Sequence, residues 1–356
     1  MGKKVILQDI AAACSVSVAA VSAAFRRPTQ ISKTLRAQIL QTAQEMGYAK
    51  TPEIKNIGLV FENFRNHFLG EFYNEIIFGI LARSAELGLR TQIFNSLQVD
   101  YQEICDINGF IVIGHDSIVH LNDLERTGQP FVLADCTGCA LPRQREIFFD
   151  QYQGAKELTE FICNCRHTQI AIINGETDVQ NHSWLDFRRA AEDVFKANGL
   201  PLQNLQILQA SYQNIETVEI ALNKIFSAKT LPTCVMCSDD LFAYYAYAVL
   251  ERYGLRVPED ISVTGFDGIT TPYYLKNPEP QLTTVLTDRI GLGRQAVDFL
   301  LNILQNKKGL PKNIVLPTHL KIGRSVKRLA GNEYLAEHPR RPAGRSVATR
   351  NKSQLA

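Results

Sequence analysis

The sequence predicts two architectures in one chain: an N-terminal all-α helix-turn-helix headpiece, and an α/β core of two doubly wound parallel-sheet lobes. Three observations carry that prediction. Before Ile57 there are helical patterns and no strand-like run. After it, short apolar runs alternate with longer amphipathic stretches, as in parallel α/β proteins with crossover helices. About ten such strands crowd one open sheet, so two lobes are expected.

The first helical pattern covers about Leu7 to Ala13, the second opens after Ser17 and runs to about Phe25, and the third opens at Ser32 and runs to Met46. Serine is a good N-cap, because its side-chain oxygen accepts a backbone N–H that the first turn leaves unpaired. Gly47 stops the third pattern. Only Cys14-Ser-Val16 separates the first two helices, the tight spacing of a helix-turn-helix whose second helix enters the DNA major groove. A generic three-helix bundle fits the same spacing.

The strand-like runs are Ile57–Phe61, Arg90–Phe94, Gly109–Ile113, Pro130–Ala134, Gln169–Ile173, Thr233–Cys237 and Ile261–Gly265. Most are nearly continuous in apolar residues, as strands covered on both faces are. Between the first two lies a helix with Phe72, Tyr73, Ile76, Ile77, Ile80, Leu81 and Leu87 on one stripe and Gly88 as its stop.

Composition narrows the function classes. The chain has 356 residues, 45% of them hydrophobic, enough to build real cores. No apolar run approaches the roughly 18 residues of a membrane span, and Asp9 stands where a signal peptide needs apolar residues, so a cytoplasmic protein with no membrane partner is expected. Eight cysteines are too dilute for a disulfide scaffold. The pairs Cys136/Cys139 and Cys234/Cys237 invite a zinc or redox reading. They lie far apart without supporting histidines, so core packing is expected and no metal or cofactor is assigned.

The net charge of +2 conceals its distribution: residues 1–56 carry +5, residues 326–356 carry +5, and the stretch between them carries −8. A basic head on an acidic body suits a polyanion reader joined to a module with a different partner. Charge alone leaves a solvated basic face open. No phosphate-binding loop, nucleophile elbow or His-Glu-x-x-His motif occurs, and Gly291-Leu-Gly293 lacks dinucleotide-binding spacing, so no catalytic residues are expected.

These residues resemble the lactose/galactose repressor (LacI/GalR) family of transcription regulators. The match runs through Asp9-Ile-Ala11, Val16-Ser17, Val21-Ser22, Ile31-Ser32, Arg36 and Gly47-Tyr48. It continues through Pro232-Thr233, Asp239-Asp-Leu-Phe-Ala243, Gly254–Asp260, Val263–Asp267, Leu282–Val285 and Gly293–Ala296. The resemblance covers roughly residues 5–325. It implies a DNA-binding regulator, a repressor by expectation, that works as a homodimer. Its core is similar to periplasmic sugar-binding proteins and holds a small-molecule effector between the lobes, with chain crossings near Gln153, Thr287 and Leu320. The alternative is a solute-binding module of that type without DNA function.

The resemblance places a headpiece at residues 1–48, a linker at 49–56, a core at 57–325 and a flexible basic tail at 326–356. It assigns DNA contacts to Ser17, Val18, Ala19, Ser22, Arg26, Arg27, Ser32 and Arg36. The family carries polar or basic side chains where Val18, Ala19, Ala20 and Ala23 stand here. Aliphatic groups cannot hydrogen-bond base edges and can only pack on thymine methyls, so the serines and arginines are expected to fix position through phosphates. The eight-residue linker, Ala49–Asn56, spans at most about 28 Å and contains Pro52. That is too short for the family's hinge helix, so its minor-groove wedge and DNA kink are expected to be missing.

For the effector, the resemblance points to Phe72, Tyr73, Ser183, Asp240 and Asp267, and Trp184, the only tryptophan, offers a face that could stack on a sugar. Carboxylates at strand ends accept hydrogen bonds from ligand donors, and aromatic faces cover apolar ring surfaces. The aromatics also suit the core, Trp184 could equally plug its lobe, and Asp240 could cap the following helix. Ser183 occupies a slot where arginine is usual, and Asp239 stands where asparagine is usual. An ordinary hexose effector is therefore in doubt.

Overall fold

The structure, a computed structural model, describes residues 5–26, 30–48, 54–61, 70–95, 104, 106–114, 121–136, 145–175, 182–211, 214, 216–227, 231–270 and 281–330. The chain divides into two compact units. Unit 1 comprises Met1–Gly154, Thr177–Phe187 and Leu286–His319; unit 2 comprises Ala155–Glu176, Arg188–Val285 and Leu320–Ala356.

The headpiece within unit 1 consists of α1 (Leu7–Cys14), α2 (Val18–Arg26) and α3 (Lys33–Glu45). The Asp9 carboxylate reaches back to accept the Ile6 N–H at 2.8 Å, fixing the start of α1. Ser15 then enters the left-handed region (φ 55°), and α1 and α2 meet at 107°. Ile10, Ala11, Cys14, Val21, Ala24, Ile39 and Ala43 form a small buried core where the three helices converge. Phe25 and Tyr48 pack ring to ring beside it at 5.7 Å.

The rest of unit 1 is built on a parallel sheet. Its strands are β1 (Asn56–Phe61), β2 (Arg90–Asn95), β3 (Gly109–Ile113), β4 (Phe131–Ala134), β5 (Arg145–Phe149) and β11 (Asn313–Leu316), in spatial order β11-β5-β4-β3-β1-β2. The strands β1, β3 and β4 are almost wholly buried, which accounts for their continuous apolar runs. Helices α4 (Gly70–Glu86), α5 (Leu121–Arg126) and α10 (Arg289–Leu304) complete the unit. A Cβ at Gly79 would collide with the Ile290 carbonyl oxygen, and one at Gly293 with the Ile76 carbonyl oxygen. These glycines let α4 and α10 pack backbone to backbone.

Unit 2 has a four-stranded parallel sheet of β6 (Ile170–Gly175), β7 (Leu205–Ala210), β8 (Cys234–Cys237) and β9 (Ser262–Thr264), in order β7-β6-β8-β9. Helices α6 (Gln151–Asn164), α8 (Glu216–Phe226) and α9 (Asp240–Arg252) accompany it. Val218, Leu222, Val235, Cys237, Phe242, Val249 and Val263 share one core cluster, which sets α8 and α9 against one face of the sheet. Helix α7 (His182–Ala197) straddles the division between units after Phe187, and β10 (Thr284–Leu286) and β12 (His319–Lys321) form a two-stranded sheet.

Strands β5, β7, β10, β11 and β12 were not among the apolar runs. Their burial is interrupted, and β7 and β11 lie at sheet edges, where polar side chains break the pattern. The segment after Ser325, placed by sequence in a flexible tail, begins docked on unit 2. The Lys327 carbonyl lies 2.9 Å from His167 Nε2, the Leu329 N–H donates to the Cys165 carbonyl, and Leu329 is buried. Its low apolar content hid that contact. Residues 331–356 and linker residues 49–53 lie outside the described residues.

Candidate DNA interface and candidate ligand edges

The helix-turn-helix leaves one face of α2 uncovered. Val21 and Ala24 point into the headpiece core, so the opposite stripe of the helix faces out. There Ser17, Val18 and Ala19 are exposed, Val18 at 41%, and Ser22 follows Val18 one turn on, half-buried. Ser17 Oγ accepts the Ala20 N–H at 3.1 Å, and Ser32 Oγ accepts the Leu35 N–H at 3.2 Å. Both serines therefore cap their helices and keep a hydroxyl proton free to donate to a phosphate. Arg36 Nε donates to the Ala24 carbonyl at 3.2 Å, tying α3 to α2. Arg26 ends α2, and Arg27 lies outside the described residues.

In open parallel sheets, ligands bind beyond the carboxyl ends of the strands where strand order reverses. In unit 1 that point lies between β1 and β3, because β1 pairs with β2 on one side and β3 on the other. Tyr73, in the first turn of α4, sits there. Its ring packs 5.5 Å from that of Phe61 at the end of β1, and a Cβ at Gly114, just past β3, would lie 3.2 Å from it. Phe72 is turned inward. Its ring meets Tyr73 edge-on at 5.3 Å, and the Arg289 guanidinium lies 5.5 Å from its centroid. Arg289 is itself buried, with Nε donating to Glu75 at 2.7 Å and Nη1 to Thr287 at 2.9 Å. Ser183 and Trp184 are half-buried in the first turn of α7.

The corresponding point in unit 2 lies between β6 and β8. Ser238 continues the β8 ladder, its N–H donating to the Ile173 carbonyl. Asp239 caps α9 by accepting the Phe242 N–H at 2.9 Å. The capping role that sequence left open for Asp240 therefore belongs to its neighbour. Asp240 is fully buried and accepts from Ile269 N at 2.7 Å and Thr284 Oγ1 at 2.6 Å. Gly265 has no side chain because the Asp240 carboxylate occupies that space. Asp267, half-buried past β9, has φ 86°, a conformation that costs a non-glycine residue free energy and clusters at functional sites.

Three carboxyls in the two units are shifted upward. Burial pushes Asp135, at the end of β4, to about 7 against the pull of Arg289. Burial and the neighbouring Asp135 push Glu146 in β5 to about 7, opposed by the Cys136 N–H and Lys312. Burial raises Asp239 to about 7 against the Phe242 and Leu241 N–H groups. Between pH about 4 and 7 the folded chain holds protons that the unfolded chain has released. Stability therefore falls as pH rises through that window. Thermal unfolding followed by circular dichroism is expected to give a lower Tm at pH 7.5 than at pH 5, with a smaller drop in Asp239→Asn. An unchanged drop in that variant would remove Asp239 from the account.

Sequence reasoning missed Asp135 and Glu146 as half-buried acids with raised pKa values and noted Asp239 only as a departure. Asp135 carried the signal already used for Asp267, a carboxylate at the carboxyl end of an apolar run. Among the described residues, no group of three or more His, Cys, Asp or Glu could hold a metal ion. Cys136, Cys234 and Cys237 are buried thiols outside any disulfide, and burial raises the last two far above the usual thiol range. Cys139 lies outside the described residues. No single described helix is long and apolar enough to cross a membrane.

Residues 6–51 match the family of bacterial regulatory proteins, lacI family, and residues 159–326 match the periplasmic binding protein-like domain. The HTH-type transcriptional repressor PurR of Vibrio vulnificus (strain CMCP6) is 24% identical over 343 residues, covering 91% of this chain and 99% of its own length. The HTH-type transcriptional repressor CytR of Escherichia coli (strain K12) is 26% identical over 320 residues, covering 85% and 90%. Among solved structures, a complex of the transcriptional regulator CelR with cellobiose has a TM-score of 0.64 at 22% identity, covering 90% of this chain and 99% of that one. A lac repressor dimer bound to operator has a TM-score of 0.64 at 20% identity, covering 91% and 100%. Both share this fold. The chain thus carries a helix-turn-helix domain of the bacterial regulatory proteins, lacI family, followed by a periplasmic binding protein-like domain, and is similar to PurR and CytR repressors along nearly its whole length.

Proposed function

We propose that the chain is a cytoplasmic, non-enzymatic transcription repressor that binds double-stranded DNA through α2 and answers to a small-molecule effector taken by its core. The observation that carries the DNA reading is the uncovered face of α2, with Ser17, Val18 and Ala19 exposed beside the serine-capped start of α3. The working parts are a headpiece at 1–48, a short strap at 49–56 and the core that follows. Ser17, Ser22, Ser32, Arg26, Arg27 and Arg36 position the headpiece on phosphates, while Val18 and Ala19 meet base edges. In the core, the candidate effector contacts are Phe72, Tyr73, Ser183 and Trp184 on unit 1 and Asp267 on unit 2, each taken on its own unit.

The active form is a homodimer. Phe78 (60% exposed) and Leu81 (38%) on α4 and Ile93 (47%) on the edge strand β2 are exposed apolar side chains that a second copy would cover.

Full-length protein is expected to shift duplex DNA in a salt-dependent manner, since each phosphate contact releases counterions. Measured by fluorescence anisotropy at several salt concentrations, Arg27→Ala is expected to lower the slope of log K against log salt by about 1 per headpiece, for every sequence tested. Absence of duplex binding at low salt, with and without metabolite extract, would leave only the solute-binding alternative.

A further inference from the structure

Three side-chain oxygens at the carboxyl edge of unit 2 are buried and have no hydrogen-bond partner: Ser238 Oγ, Asp239 Oδ2 and Thr264 Oγ1. The three residues are 2%, 2% and 0% exposed. An unpaired buried polar group costs free energy, so three together need a physical account. Two of them share a face of the sheet, and Asp239 follows Ser238 directly in the chain. Thr264 pairs in register with Met236 on the adjacent strand, and Ser238 lies two residues beyond Met236, so alternation puts both hydroxyls on the same face. Thr159 of α6 reaches Met236 Sδ at 3.7 Å on that face. Ser238 and Asp239 follow β8 at the strand-order reversal between β6 and β8, and Thr264 ends β9 on the other side of β8.

The charge of this edge is one-sided. Residues 238–243 and 264–270 contain Asp239, Asp240 and Asp267 and no basic residue. The N-terminus of α9, where helix geometry would favour an anion, is already filled by the Asp239 carboxylate. A phosphate or carboxylate arriving here would meet three carboxyl groups and no basic side chain from these two segments. An N–H donor would meet a carboxylate oxygen and two hydroxyl acceptors.

We propose that Ser238, Asp239 and Thr264 form a recognition subsite for an amino or amidino group on the effector, and that this edge excludes phosphorylated and other anionic ligands. The proposal rests on the reading of the core as effector-binding. A cation there stabilises the ionised form of Asp239, whose burial holds it near neutrality. Binding near pH 6.5 therefore releases protons.

The test uses full-length protein and matched probes: glucose, glucosamine and glucose 6-phosphate, and benzyl alcohol, benzamidine and benzoate. Affinities come from isothermal titration in two buffers of different ionisation enthalpy, on wild type and on Asp239→Asn. Asparagine preserves the helix cap, so the variant is expected to fold. The amine or amidine member of at least one set binds, releases protons, and weakens at least tenfold in Asp239→Asn. Neither anionic probe binds more tightly than its neutral parent. The idea is overturned by silence of both cationic probes, by tighter binding of an anionic probe, or by an affinity unaltered in the variant. DNA binding measured in parallel separates the two levels. Duplex binding that responds to an anionic ligand keeps the regulator and removes this subsite. Amine binding without duplex binding keeps the subsite and removes the regulator.

Discussion

Replacing Asp240 by alanine is expected to cost about 3–5 kcal/mol of stability, because the carboxylate holds three parts of unit 2 together. Its oxygens accept the Ile269 N–H and the Thr284 hydroxyl, and Gly265 is hollowed out to admit it. Truncation leaves two buried donors without partners and a cavity where a fully enclosed carboxylate stood. Urea unfolding followed by far-UV circular dichroism is the measurement, and a midpoint close to wild type would show that the network is dispensable. The same experiment bears on function. The resemblance casts Asp240 as an effector contact, which predicts a stable protein with a lost ligand response. The geometry predicts a destabilised protein.

Placing a carboxylate on the outer face of the recognition helix, as in Val18→Glu, is expected to weaken duplex binding at least 100-fold while leaving the melting temperature within about 2 °C. Val18 is 41% exposed and contributes nothing to the headpiece core, so the substitution is invisible to folding. Against DNA it sets a negative charge on the face that meets the polyanion. Val18→Ala is the informative companion. If the isopropyl group packs on a thymine methyl, its loss costs about 1 kcal/mol and relaxes preference at one base step. Binding-site selection on both proteins reads this directly. A sharply defined operator that survives Val18→Ala would move base reading elsewhere on the headpiece.

The helices and buried strands were legible because their side-chain period is local. Ser17 and Ser32 cap helices that begin one residue later, and Gly88 takes the left-handed conformation (φ 68°) that ends α4. The strands β1, β3, β4, β6 and β8 announced themselves by enclosure on both faces. Their edge companions β7 and β11 did not, since half-exposed strands carry the same residues as loops. The docked segment through Leu329 was hidden for a related reason: one buried leucine amid basic residues carries no periodic signal.

The sequence by itself determined the helix-turn-helix, the alternation that makes a parallel core, the basic head and the family resemblance, because each is written in neighbouring residues or in net charge. Only the tertiary structure decided what the acids do. Asp239, Asp240 and Asp267 are indistinguishable as letters. In the fold the first caps a helix with one oxygen unsatisfied, the second is consumed by a buried network, and the third stands half-exposed on strained backbone. A carboxylate's role follows from its burial and from donors on segments distant in sequence, Thr284 lying 44 residues from Asp240, and no local pattern encodes that distance.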